Sequence, residues 1–163
     1  MLKEQLQQEL NQALKSGEPG KRLLLGMVLT AVKNRELSKR SQLSKTITDS
    51  TELEKQSRLN DDEVLAVIAG EVKKRKESIE QFSAGHRPEL AEKEKAEMEL
   101  LLKYLPTQLS DDAVRAEVGK VISETGAENI KALGKVMSQV MARLKGRADG
   151  NTVSRIVKEQ LGQ

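Results

Sequence analysis

The placement of the helix breakers constrains this chain more than any other feature. Its only prolines are Pro19, Pro88 and Pro106. Between them run long stretches with an apolar side chain at every third or fourth position and no sustained alternation, the spacing of amphipathic helices. The residues filling those stretches are largely Leu, Glu, Lys, Ala, Gln and Arg, which lose little side-chain freedom in a helix. Rings make up 1% of the chain, with one Tyr, one Phe and no Trp. A β-sandwich or barrel draws on β-branched and aromatic residues and needs many more turn residues. The expected fold class is all-α, a multi-helical N-terminal domain followed by a smaller three-helix C-terminal domain.

Seven helices are predicted. Leu2, Leu6, Leu10, Ala13 and Leu14 recur at helical spacing until Ser16-Gly17-Glu18-Pro19-Gly20 stops the first helix. A second helix runs from about Lys21 to Leu37, with Leu24, Met27, Val28, Ala31 and Val32 as its buried stripe. Residues 38–60 hold eight Ser/Thr and only four large apolar residues, which reads as a surface loop with Thr51 and Glu54 capping one short turn. Asn60-Asp61-Asp62-Glu63 is a stronger start signal, since Asn60 can cap, Glu63 can reach back, and the acids face the positive end of the dipole. The third helix reaches about Ser83, with Val64, Leu65, Ile68, Val72, Ile79 and Phe82 inward, until Gly85-His86-Arg87-Pro88 breaks it. The fourth runs from about Glu89 to Tyr104, burying Leu90, Met98, Leu101 and Leu102.

Leu105-Pro106 ends that helix, because a residue before proline avoids the α region. The domain boundary is placed there, giving domains 1–104 and 105–163. Ser110 caps a fifth helix that buries Val114, Val118, Val121 and Ile122 and ends at Gly126. Leu133, Val136, Met137, Val140, Met141 and Leu144 form the cleanest stripe of the chain. The sixth helix stops at Lys145-Gly146, and Asp149 or Asn151 caps a seventh with Val153, Ile156, Val157 and Leu161 inward.

The chemistry available is narrow. Without cysteine there are no disulfides and no thiolate nucleophile. The single histidine, His86, sits in a breaker, so neither a hydrolytic triad nor a zinc site can be assembled from the usual ligands. Asp61-Asp62-Glu63 and Asp111-Asp112 stand where helix starts favour acids, and read as caps before they read as a magnesium site. Gly17-Glu18-Pro19-Gly20-Lys21-Arg22 has neither the spacing of a phosphate loop nor a hydroxyl residue after its lysine. No catalytic residue, cofactor or metal is expected. No apolar run approaches the roughly 20 residues that cross a bilayer, and Met1-Leu2-Lys3-Glu4-Gln5 lacks the apolar core of a signal peptide. The expected location is cytoplasmic.

The net charge is only +3, but its distribution is uneven. Lys73-Lys74-Arg75-Lys76 fans around its helix and reads as a solvated face pairing with Glu71, Glu77 and Glu80. From Lys131 to Lys158 stand Lys131, Lys135, Arg143, Lys145, Arg147, Arg155 and Lys158 against one acid, Asp149, a local excess that attracts polyanions. Within it, Lys145-Gly146-Arg147-Ala148-Asp149-Gly150 has two glycines that permit a left-handed connection and two cations beside the start of a helix. Such a turn can offer cations and backbone N–H groups to a phosphate. The same glycines can merely close a turn, with the cations answering the dipole of the sixth helix, and spacing alone favours this plainer reading.

Gly134-Lys135-Val136-Met137, followed by Lys145 to Gly150 and Val157-Lys158, resembles the closing motif of the GatB/YqeY family. Glu71 to Ile79 resembles that family's central helix, as do Arg87-Pro88-Glu89-Leu90 and Tyr104 to Ser110, while Arg22, Met27, Ala31 and Glu36 fit its second helix. The resemblance implies a protein related to glutamine-dependent tRNA amidotransferases, whose GatB subunit carries a similar tail that helps hold the tRNA body. It also implies the family label of carbon–nitrogen ligase with glutamine as amido donor. The ATP- and magnesium-binding catalytic domain has no counterpart here, so standalone catalysis is not expected. On this reading Lys131, Lys135, Arg143, Lys145, Arg147 and Lys158 contact phosphates, and Gly146 and Gly150 let the backbone come close. The partners implied are tRNA and amidotransferase subunits or an aminoacyl-tRNA synthetase. The competing readings are an accessory subunit without its own RNA binding, and a helical protein-interaction domain that docks through its acidic 61–104 block.

Overall fold

The computed structural model describes residues 1–162 and is all-helical, with no β-strand among the described residues. Contacts divide the chain into two compact units, Met1–Tyr104 and a second that begins at Leu105.

The N-terminal unit comprises α1 (Leu2–Lys15), α2 (Pro19–Leu43), α3 (Ser50–Ser57), α4 (Asp61–Ala84) and α5 (Pro88–Leu102). Helix α2 packs against α1 and α3, and α4 lies along α5. Leu6, Leu24, Leu25, Val28, Val32, Val64, Ile68 and Leu101 are fully enclosed. Burying one such aliphatic side chain contributes roughly 1.5–3 kcal/mol, so this cluster is the main source of the unit's stability. The start of α4 is built as a capping box, with Asn60 Oδ1 accepting from Glu63 N and Glu63 Oε2 accepting from Asn60 N, both at 2.9 Å.

The structure departs from the sequence expectations at residues 38–60, at Met27 and at Arg75. Residues 38–60 are not a loop, for α2 continues through Leu43 and α3 follows, capped by Asp49 rather than Thr51. The hydroxyls of Ser38, Ser44, Thr46 and Ser57, which suggested a loop, turn back on their own helix or turn, as Ser38 does to the Asn34 carbonyl at 3.0 Å. Met27 is half exposed, while Leu25, outside the expected stripe, is buried. Arg75 is not part of a solvated basic face but is 4% exposed. It turns inward from α4, donating to Glu71 one helical turn back at 3.2 Å and to Glu97 on α5 at 3.1 Å. A run of four cations fans through most of a circle, so one of them must meet the core side.

The second unit comprises α6 (Asp111–Thr125), a 3₁₀ turn (Ile130–Ala132), α7 (Leu133–Leu144) and α8 (Gly150–Leu161), packed pairwise. Val114, Val118 and Val121 of α6 meet Val136, Val140 and Leu144 of α7 and Val153, Ile156, Val157 and Leu161 of α8. Ser110 Oγ accepts from Ala113 N at 3.3 Å to cap α6, and Gly126 ends it at φ 62°.

Candidate nucleic-acid interface

The basic turn is a built feature of the second unit. Helix α7 stops at Leu144 because Lys145 enters the left-handed region at φ 43°, ψ 52°, and Gly146 follows at φ 78°. The left-handed geometry expected of two glycines is thus carried by Lys145 and Gly146. Gly150 is the first residue of α8, and a side chain there would meet nothing within 4 Å. A lysine in this conformation carries steric strain of roughly 1–2 kcal/mol relative to glycine, which surrounding bonds must offset. Lys145 N donates to Met141 O at 3.2 Å and Arg147 N to Leu144 O at 2.8 Å.

A strap from the segment before α6 holds the turn. Leu109 N donates to Arg147 O at 2.7 Å, and Gln108 Nε2 donates to Gly146 O at 2.9 Å. Arg147 Nε in turn donates to Thr107 O at 3.4 Å. The strap residues Thr107 and Gln108 escaped the sequence reading, although they lie in one of the segments that carry the family resemblance. Their amide and carbonyl groups leave no periodic signal.

Asp149, not Asn151, caps α8. Its Oδ1 accepts from Asn151 N and Thr152 N, both at 3.0 Å, and its Oδ2 accepts from Thr152 Oγ1 at 2.8 Å. The carboxylate therefore occupies N–H groups that the sequence reading offered to a phosphate. What the turn presents outward is the exposed side chains of Lys145 and Arg147.

The remaining site residues spread along the two helices. Lys131 on the 3₁₀ turn and Lys135 in the first turn of α7 are exposed, at the end of α7 away from Lys145. A helix of 12 residues separates these two groups by about 18 Å. Lys158 is exposed in the last turn of α8. Arg143 donates to both carboxylate oxygens of Glu124, which raises the guanidinium pKa further and lowers that of the carboxyl. Arg155 is bound to Asp111 and Glu159. These two arginines spend part of their charge internally, while Lys131, Lys135 and Lys158 face solvent. Beside the turn, Leu109, Ala113, Leu144, Arg143 and Arg147 line a recess of about 410 Å³.

His86 is exposed with φ 55°, in the connection between α4 and α5. Among the described residues no three of His, Cys, Asp and Glu gather as a metal site. No helix among them is long and apolar enough to cross a membrane.

The fold and its surface thus define an all-helical protein with an excess of cations toward its C-terminal end. The chain belongs to the Yqey-like protein family, whose model matches residues 3–161. It is 33% identical over 106 residues to "Altered inheritance of mitochondria protein 41, mitochondrial" of Pyrenophora tritici-repentis (strain Pt-1C-BFP), covering 63% of this chain and 58% of that protein. The match therefore spans less than two thirds of that relative's length. It is also 34% identical over 86 residues to an uncharacterized protein of Schizosaccharomyces pombe (strain 972 / ATCC 24843), covering 52% of this chain and 70% of that protein.

Proposed function

We propose that this chain is a tRNA-associated binding module related to glutamine-dependent tRNA amidotransferases, working by holding RNA rather than by catalysis. The observation that carries the reading is the Lys145-Gly146-Arg147 turn, which is fixed by three hydrogen bonds to residues 107–109 and presents two exposed cations. A fixed turn presents its charges without paying to order them on binding, and cations so placed meet phosphates rather than base edges. Lys131, Lys135 and Lys158 extend the positive surface. Arg143 joins only by exchanging Glu124 for a phosphate. The likeness of these residues to the tail of the GatB subunit of amidotransferases supports the same reading, with amidotransferase subunits or an aminoacyl-tRNA synthetase as protein partners and the cytoplasm as the setting.

The test is a titration into bulk tRNA at low and moderate salt. Affinity is expected to fall as salt rises. Lys145→Ala with Arg147→Ala removes two phosphate contacts, so the log–log salt slope should shrink by about 1.4–1.8. An unchanged slope rejects the turn as the contact, and no binding at low salt rejects the module.

A further inference from the structure

The N-terminal unit carries an open groove of about 840 Å³ between α1, α2 and α4. Its apolar lining includes Leu10, Leu14, Leu23, Met27 and Ala31. Leu14 and Leu23 are each 59% exposed and Met27 is 49% exposed. Isolated exposed leucines are ordinary, but several large apolar side chains lining one recess mark a surface that something covers. The recess exists because Gly26, Thr30 and Ala31 are small, and Met27 supplies a side chain that adapts to what it meets.

The charges at its edge say what kind of partner fits. Arg22 and Lys74 stand on the lining, and the Arg22 side chain makes no hydrogen bond or ion pair among the described residues. The one acid there, Glu71, is already answered by Lys74 at 2.7 Å and Arg75 at 3.2 Å. The charge left over at the rim is positive.

We propose that this groove docks an amphipathic helix of another protein whose apolar stripe is flanked by acidic residues. From Arg22 to Asn34 the groove follows α2 for about 18 Å, the length of a helix of roughly 12 residues. Leucines spaced three and four apart on such a helix reach the Leu14, Leu23 and Met27 side chains, and its flanking carboxylates meet Arg22. A small molecule fits the site poorly, since pockets for such ligands enclose most of the ligand and these walls are half open to water. A second copy, paired face to face about a two-fold axis, brings like-charged rims together. A bilayer covers protruding faces and leaves the Gly26–Ala31 floor bare. The inference is independent of the tRNA reading, because it uses none of the residues of the basic turn.

The test uses two synthetic helical peptides of about 15 residues. Each carries the same leucine stripe, with the flanking positions glutamate in one and lysine in the other. Amide chemical shifts of the full chain are followed by NMR during titration. The glutamate peptide is expected to perturb residues 10–34 and to bind about tenfold tighter than its lysine twin, about 1.4 kcal/mol. Arg22→Glu should narrow that difference, and Leu23→Asp with Met27→Asp should abolish binding of both. Both aspartates replace exposed side chains, and the wild-type comparison of the two peptides decides the matter even where a variant folds poorly. Equal binding of the twins, shifts confined elsewhere, or no binding overturns the proposal. So does self-association in sedimentation, or uptake by anionic vesicles, that Leu23→Asp removes.

Discussion

Replacing Arg75 by Ala strips the N-terminal unit of its one buried cation. The Arg75 side chain is 5% exposed and its two carboxylates, Glu71 and Glu97, are 9% and 21% exposed. Removing one partner of a buried ion pair costs about 3–5 kcal/mol, because the charge left behind keeps its burial and loses its answer. Here the lower end applies. Lys74 stays 2.7 Å from Glu71, and Glu97 is open enough for water to reach it. The expected loss is therefore about 3 kcal/mol at neutral pH. With a urea dependence of about 1–3 kcal/mol per molar, the midpoint moves down by about 1–3 M. Tyr104 is the chain's only tyrosine, there is no tryptophan, and its phenol donates to Glu9 at 2.6 Å inside this unit. Tyrosine emission thus reports the unfolding of the N-terminal unit separately from the second one. Arg75→Met keeps much of the volume but takes the guanidinium from both carboxylates, so it should sit within about 1 kcal/mol of Arg75→Ala. Adding Glu71→Gln and Glu97→Gln to Arg75→Met should then recover stability. A loss under about 1 kcal/mol for Arg75→Ala, or a triple variant no better than Arg75→Met, refutes this account of the cluster.

Other substitutions test separate features. Lys145→Gly removes the strain of a left-handed lysine at φ 43° and should raise stability by about 0.5–1 kcal/mol while it lowers tRNA affinity, read by thermal melting and titration. Asn60→Ala breaks the capping box of α4 and should cost about 1 kcal/mol in urea unfolding. Acid should destabilise the N-terminal unit in part through Glu9 and Glu63. At Glu9 burial pulls the carboxyl pKa upward, but hydrogen bonds from Tyr104, Gln5 and Lys21 outweigh it, and the result lies below the ordinary 4.5. At Glu63 burial is likewise outweighed, by Lys39 and the Asn60 backbone bond. Carboxyls lowered by folding contribute stability that is fully present above 4.5 and is lost as pH falls through their folded values. Melting temperatures of the Glu9→Gln, Glu63→Gln variant should accordingly fall less than those of the wild type between neutral pH and about pH 3.

Helix existence and several helix ends were legible because each leaves a local mark. Asn60 with Glu63, Ser110 and Gly126 sit where backbone groups need a cap, and the α7 stripe from Leu133 to Leu144 repeats without interruption. What stayed hidden depends on partners far along the chain. Arg75 goes inward because Glu97, 22 residues on, waits for it. Ser- and Thr-rich composition hid the end of α2 and all of α3, since a hydroxyl can serve a loop or its own helix equally well. Periodicity marked Leu14 and Met27 as apolar-face residues, but it carries no information on whether that face is covered within the chain. At the candidate interface the cations could be read directly, whereas the role of Asp149 in occupying the first N–H groups of α8 needed coordinates.

The bond from Leu109 N to Arg147 O joins residues that flank α6 and α7, so it closes those two helices into a single loop of chain. The natural cut points of the second unit are consequently not its helix ends. A fragment starting at Ser110 contains every helix of the unit yet lacks the Gln108 and Leu109 donors, and only the bonds to Met141 and Leu144 then hold its basic turn against the strain of Lys145. A fragment starting at Leu105 keeps them. Five residues without regular structure therefore decide whether this unit can be lifted out, grafted or shuffled with its surface geometry intact.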